Sequence, residues 1–222
     1  TPNCIRTTCY DAVSLDYKVV VLSDCCSSNT EEIQRANLLD MGNIGAKILS
    51  SDEFLPSLDG GRLSIRPAEM ADLDRCAEIE AACFPREQAA SRESIRDRLS
   101  VYPGHILLGE QDGNVIGYAM GPVIDVPAIA DEMFSDAACH DPARPYQSVF
   151  SLAVHPDWQR RGFGRQLLNA LIDLARQENR QAVTLTCRQE KIAYYESFGF
   201  VNQGIASSVH GGAVWYHMVL PL

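Results

Sequence analysis

The sequence has no long apolar run. Its longest, such as Val19–Leu22, fall far short of the ~20 apolar residues that a membrane-crossing helix needs. There is no basic-plus-apolar leader, so neither export nor membrane anchoring is expected. Positive charge is also scarce. Nineteen Lys and Arg face 29 Asp and Glu, for a net charge of −10, which argues against a nucleic-acid backbone as the main partner. That balance suits a cationic substrate such as an amine, or simply serves solubility. The eight cysteines form no C-x-x-C pair and no disulfide-framework spacing, so reduced thiols in a cytoplasmic protein are expected. Internal repeats and low-complexity tracts are absent. The chain opens Thr1-Pro2-Asn3 without a methionine, from which an upstream segment is expected to have been removed. What remains is ordinary globular material: 222 residues, 46% hydrophobic and 22% charged. That is enough for one large domain, or one domain and part of another.

Two blocks are visible, 1–55 and 62–222, joined by the turn-rich stretch Pro56-Ser57-Leu58-Asp59-Gly60-Gly61. The first predicts a helix over 5–15, a buried parallel strand over 18–22, a helix from Asn29-Thr30-Glu31-Glu32 to Met41 that stops at Gly42, and a strand over 46–49. This is half of a doubly wound sheet, too small to close its own core, so association through the incomplete sheet is expected.

The second block predicts a strand over 63–67 and helices over 70–84 and 91–102. Strands over 105–110 and 115–120 follow, around the hairpin signal Gln111-Asp112-Gly113-Asn114. A polar-apolar insertion occupies 121–147. Strand 148–154, helix 164–177, strand 182–186, helix 190–197 and a hairpin of 201–208 with 215–219 complete it.

The chemistry is carried by Leu152-Ala153-Val154-His155-Pro156-Asp157-Trp158-Gln159-Arg160-Arg161-Gly162-Phe163-Gly164-Arg165. A strand feeds a Gly- and Arg-rich loop that opens a helix with apolar Leu167, Leu168, Leu171, Ile172 and Leu174. A helix N-terminus offers free N–H groups and the positive end of a dipole. Gly162 and Gly164 let that backbone approach an anion closely, and Arg160, Arg161 and Arg165 add charge. About thirty residues later lies Ala193-Tyr194-Tyr195-Glu196-Ser197-Phe198-Gly199-Phe200.

Together, Q-x-x-G-x-G and A-x-x-Y-E-x-F-G-F resemble the acetyl-CoA signature of the GNAT superfamily. The wording around them is similar to the arylalkylamine N-acetyltransferase branch, in its non-vertebrate form: Leu152–His155, Tyr195–Phe200, Trp215-Tyr216-His217-Met218 and Phe84-Pro85-Arg86-Glu87-Gln88-Ala89-Ala90-Ser91. The resemblance covers nearly all of 62–222. It implies a mixed, mostly antiparallel twisted sheet with flanking helices, and acetyl transfer from acetyl-CoA to a small amine in a ternary complex, with no metal. Leu152, Ala153 and Val154 would run beside the pantetheine arm, and residues 159–165 would hold the pyrophosphate. Tyr194 and Phe198 would also bind the coenzyme, strand backbone would hold the oxyanion, and Tyr195 would protonate the leaving thiolate.

The base departs from the family pattern. Vertebrate members carry two histidines where Ser148 and Phe150 stand here. Glu87 matches the glutamate that insect relatives use, and Glu80 is a second choice. His155 has the right intrinsic pKa but matches a histidine of structural character. Either Glu87 acts as the base or it is a solvated surface residue. Asp125, Asp131, Glu132, Asp136 and Asp141 lie among Val126, Ile129, Met133 and Phe134 in the insertion, which is either a lid over an apolar amine or an ordinary loop.

Residues 1–12 followed by Tyr17–Asp24 resemble the C-terminal part of isochorismatase-like cysteine hydrolases. The resemblance implies that Cys4, at a helix start, matches the nucleophile, either as a remnant or as one member of a triad completed by sequence not shown. The aspartate and lysine that the family also uses are not in this sequence. A cysteine hydrolase fused to a coenzyme-binding module is therefore the alternative function, and a non-catalytic acyl-CoA binder is a third.

Overall fold

The computed structural model describes residues 2–58 and 61–222. The chain divides into two compact units, Thr1–Gly61 and Arg62–Leu222.

In the first unit, α1 (Pro2–Ser14), β1 (Val20–Leu22), α2 (Glu31–Asn43), β2 (Lys47–Leu49) and α3 (Ser51–Leu58) follow one another. β1 and β2 pair in parallel, Val21 opposite Ile48. Cys9, Val21, Met41 and Ala46 make a small buried cluster. Thr30 caps α2 by accepting from the Ile33 N–H, as its position before two carboxylates predicts. Gly42 does not stop the helix, however. α2 continues to Asn43 and the left-handed residue that ends it is Gly45, at φ 101°. The linker expected over 56–61 is also corrected in part, because α3 runs through 56–58, while residues 59 and 60 lie outside the described residues. The cause is a capping box: the Glu53 carboxylate accepts from the Ser50 N–H at 2.8 Å while the Ser50 Oγ accepts from the Glu53 N–H at 3.2 Å.

The second unit opens with β3 (Ser64–Pro67), then α4 (Leu73–Cys83), α5 (Arg92–Val101), β4 (Ile106–Gln111) and β5 (Asn114–Met120). Next come β6 (Val123–Ile124), β7 (Tyr146–Val149), β8 (Ser151–Val154), α6 (Phe163–Gln177), β9 (Ala182–Cys187), α7 (Ile192–Glu196), β10 (Val201–Ile205) and β11 (Tyr216–Pro221). Asp112 and Gly113 both take positive φ in the β4–β5 turn, the geometry that a two-residue hairpin demands. Two sheets result, ordered β3-β4-β5-β8 and β10-β11-β9-β7-β6. Every pair in this unit is antiparallel except β7 with β9.

The single strand expected over 148–154 is broken. β7 pairs with β9 and β8 with β5, and Phe150 between them belongs to neither ladder. The insertion contributes β6 and two short 3-10 turns, and the final hairpin is shorter than expected because 206–215 leaves the ladder.

Helix α6 lays Phe163, Leu167, Leu168, Leu171 and Ile172 against one face of the sheets, where they meet Leu107, Ala119, Val183 and Leu185. On the other face Ile79 of α4 and Ile95 and Leu99 of α5 pack on Ile106, Leu108, Tyr118 and Met120. Apolar side chains cover β4 and β5 on both faces, which explains their near-continuous hydrophobic sequence. Among the described residues no helix is long and apolar enough to cross a membrane.

Behind this sheet lies a histidine pair. The His105 Nδ1 meets the Gln147 Oε1 at 2.8 Å, and the His140 ring sits 5.0 Å from that of His105 while its Nδ1 accepts from the Val123 N–H at 3.1 Å. Burial, reinforced by His105 and Arg180, pushes the His140 pKa down to about 4. An unfolded histidine titrates near ~6.5, so between these values the unfolded chain binds the extra proton. Stability from His140 is therefore complete above about pH 6.5 and lost as pH falls toward 4. Thermal unfolding from pH 7.5 to 4.5 should show the midpoint falling, and His140→Asn, which keeps an acceptor for Val123, should flatten that fall.

Candidate active site

The break at Phe150 creates the site. Ser151 to Val154 pair with β5 along one edge only. The His155 N–H donates to the Ile116 carbonyl at 2.8 Å, and the alternation of an antiparallel ladder then turns the N–H and C=O groups of Leu152 and Val154 the other way, to the open edge. The Val154 carbonyl there accepts from the Gln159 Nε2 at 2.9 Å and the Cys83 Sγ at 3.1 Å. Ala153, buried, faces α4 and α5.

The open edge leads to the start of α6. Arg160 stands at φ 62° and Gly162, the N-cap, at φ 79°; the second is a conformation that glycine adopts without penalty. Phe163 is buried in the core, so it offers the loop only its backbone. The Arg161 guanidinium lies 4.9 Å over Trp158, and that of Arg165 4.4 Å over Phe198 while donating to the Ser197 Oγ at 3.0 Å. A Cβ on Gly164 would sit 3.5 Å from the Tyr194 hydroxyl and 3.9 Å from Val154. Gly164 thus opens a small cradle between the helix start, the strand edge and Tyr194. Backbone donors, the dipole end and arginines around such a cradle suit a pyrophosphate.

Tyr195 lies half-buried on α7, its ring 5.1 Å from Tyr194 and 5.8 Å from Phe200. Burial, with Tyr194 and Cys187 beside it, pushes its hydroxyl well above the ordinary tyrosine value and keeps it protonated through neutral pH.

On the far side of the gap is a cavity of about 340 Å³, walled by Phe84, Phe134, Phe150 and Trp215 and by the polar Glu80, Arg98, Asp131, Ser151, Thr186 and His210. Glu80 is only 2% exposed. Its carboxylate accepts from the Tyr118 hydroxyl, from the Ala90 N–H at 2.9 Å and from the Ser151 Oγ at 3.3 Å. Asp131 accepts from the Ser208 Oγ and the Val209 N–H, His210 stacks on Phe134 at 4.7 Å, and the His210 Nε2 meets the Gln88 carbonyl at 3.2 Å.

The residues expected at the site divide. Leu152, Val154, Gln159 to Arg165, Tyr194 and Phe198 gather around the open edge and cradle, whereas Tyr195 packs on Tyr194 and Phe200. Ser148 is buried away from the cavity, its Oγ donating to the Pro122 carbonyl at 2.6 Å. Glu87 is exposed and is not one of the cavity-lining residues. His155 caps the turn at 156–158, its Nδ1 accepting from the Asp157 N–H at 3.4 Å. Sequence reasoning left out Arg98, Thr186 and His210, which no local pattern marks. Cys4, in the first unit, is exposed and lines an apolar cavity with Thr8, Cys9, Val21 and Cys26.

Residues 73–200 match the model of the acetyltransferase (GNAT) family. The chain belongs to the GNAT acetyltransferase family. It is an N-acetyltransferase by that membership, and its 153-residue alignment with the L-amino acid N-acyltransferase MnaT of Escherichia coli agrees, at 33% identity over 63% of this chain and 80% of that one. The ribosomal-protein-S18-alanine N-acetyltransferase of Escherichia coli shares the fold, with a TM-score of 0.54 at 23% identity over 72% of this chain and 94% of that one. Residues 1–53 match the isochorismatase domain model. Over 59 residues the chain is 51% identical to a probable inactive nicotinamidase of Arabidopsis thaliana, covering 26% of this chain but only 30% of the length of that relative.

Gly164→Ala should fold normally, since its Cβ meets neighbours at ordinary contact distances. It should nonetheless weaken coenzyme A binding about tenfold, roughly 1.4 kcal/mol, by calorimetric titration.

Proposed function

We propose that residues 62–222 transfer acetyl from acetyl-CoA to a small primary amine bearing an aromatic or apolar end, with Glu80 as general base and Tyr195 as general acid. The observation that carries this reading is the Glu80–Ser151 hydrogen bond at 3.3 Å. It places a buried carboxylate in the acceptor cavity and against the first residue of the open strand edge.

Acetyl-CoA supplies an acetyl group activated as a thioester. The cradle of 159–165 suits its pyrophosphate, and the edge of Leu152 and Val154 suits the amides of its pantetheine arm. An amine arrives protonated at neutral pH and cannot attack until that proton leaves. Glu80, fixed by three donors, takes it. The C–N bond then forms as the C–S bond breaks, the thiolate collects the proton of the Tyr195 hydroxyl, and the second proton shed by the new amide nitrogen restores that hydroxyl through solvent. Thr186 lines the acceptor cavity while the next residue, Cys187, lies beside Tyr195, so acid and base flank the end of β9 from opposite sides.

Glu80 replaces Glu87 in this reading because only Glu80 lines the cavity. The aromatic walls support an arylalkylamine-like acceptor, and the name of the MnaT relative points to another small amine. A protein N-terminus is the second reading, favoured by the name of the S18-alanine acetyltransferase. The small-amine reading is preferred for the aromatic lining of the cavity, Phe84, Phe134, Phe150 and Trp215.

Release of coenzyme A thiol should be followed with tyramine, tryptamine, phenylalanine, spermidine and an alanine-first peptide. The small aromatic compounds should turn over. Tyr195→Phe and Glu80→Gln should each lower kcat about 10²–10⁴-fold without changing coenzyme A affinity, and Glu87→Gln should match the parent. Turnover of the peptide alone would sink the small-amine reading, and an undiminished Glu80→Gln would sink the base.

A further inference from the structure

Arg98 is a buried cation without a counter-charge. It is 4% exposed and lines the acceptor cavity. Its Nη2 donates to the Phe134 carbonyl at 2.7 Å, its Nη1 reaches the Met120 Sδ at 3.5 Å, and its guanidinium lies 5.7 Å from the Phe150 ring centre. Among the described residues no carboxylate pairs with it, in contrast to Arg66, which holds Asp72 and Glu110 at 2.8 Å each. A guanidinium has five N–H donors, and these neighbours occupy two of them. An uncompensated charge buried this deeply is costly to keep. A tether for the Phe134 carbonyl would need only a neutral donor.

We propose that Arg98 binds a carboxylate of the acceptor, which makes the acceptor a free α-amino acid with an aromatic or large apolar side chain. This deepens the small-amine reading and rests on it.

Glu80 and Arg98 line the same cavity. Glu80 is hydrogen-bonded to Tyr118 and Arg98 contacts Met120, and both partners belong to the face of β5 turned to α4 and α5. An α-amino acid likewise carries its ammonium and its carboxylate on one carbon. The ammonium then meets Glu80, the carboxylate meets the guanidinium fork, and the side chain faces Phe84, Phe134 and Trp215. A decarboxylated amine of the same shape would leave Arg98 buried and unpaired.

The test compares kcat/KM by thiol release, on the full chain, for matched pairs: phenylalanine with phenethylamine, tyrosine with tyramine, tryptophan with tryptamine. The amino acid of each pair should be favoured by at least ~30-fold. Arg98→Gln should collapse that ratio by at least tenfold, and Arg98→Lys, which keeps the charge but not the fork, should fall between. Should Arg98→Gln fail to fold, the pairs on the parent enzyme still decide. Equal or better turnover of the amines, or an unchanged ratio in Arg98→Gln, overturns the carboxylate assignment and leaves small-amine acetylation standing. Turnover of the alanine-first peptide with neither member of any pair overturns both.

Discussion

One stretch of chain, residues 146–154, belongs to two sheets, and the catalytic unit depends on the change of partner at Phe150. Before it, β7 is zipped to β9; after it, β8 is zipped to β5 and faces open space on its other side. A regular strand would have kept both ladders and filled the gap with backbone hydrogen bonds. Because the two ladders part, the outward backbone groups of Leu152 and Val154 have no strand partner, and only side chains, Gln159 and Cys83, reach the Val154 carbonyl. Everything functional is arranged around those groups: the helix start at one end, the aromatic cavity at the other, and α7 across the gap.

The electrostatic layout follows the same line. Arg160, Arg161 and Arg165 gather at the helix end, whereas Glu80 and Asp131 line the cavity. An anionic donor and a cationic acceptor are thus separated by the length of one short strand. Arg98 is the exception, a cation at the acidic end, and its isolation from carboxylates gives it meaning. Arg66 and Arg180, by contrast, are compensated, the first by two carboxylates and the second by Glu178 at 2.7 Å.

Local chemistry was legible in the sequence. Asp112-Gly113 announced the hairpin, the spacing of Leu167, Leu168, Leu171 and Ile172 announced α6, and the glycines at 162 and 164 marked the cradle. Helix α3 was missed, because the proline at 56 masks the capping box formed by Ser50 and Glu53. The acceptor side was another matter. Glu80 acquires its surroundings from Ala90, Tyr118 and Ser151, up to 71 residues away, so no window of sequence distinguishes it from the exposed Glu87. Arg98 reads as one more cation on the arginine-rich helix Arg92–Val101, and only folding removes it from water. The break at Phe150 was equally hidden, since 148–154 reads as one apolar run.

The stacking of Arg165 on Phe198 ties the two halves of the coenzyme end together. Arg165 belongs to α6, and Phe198 and Ser197 lie just past α7, which carries Tyr195. A phosphate that drew the guanidinium to itself would give up a ring contact of about 0.5–1 kcal/mol and loosen the tie between the start of α6 and the segment that follows α7.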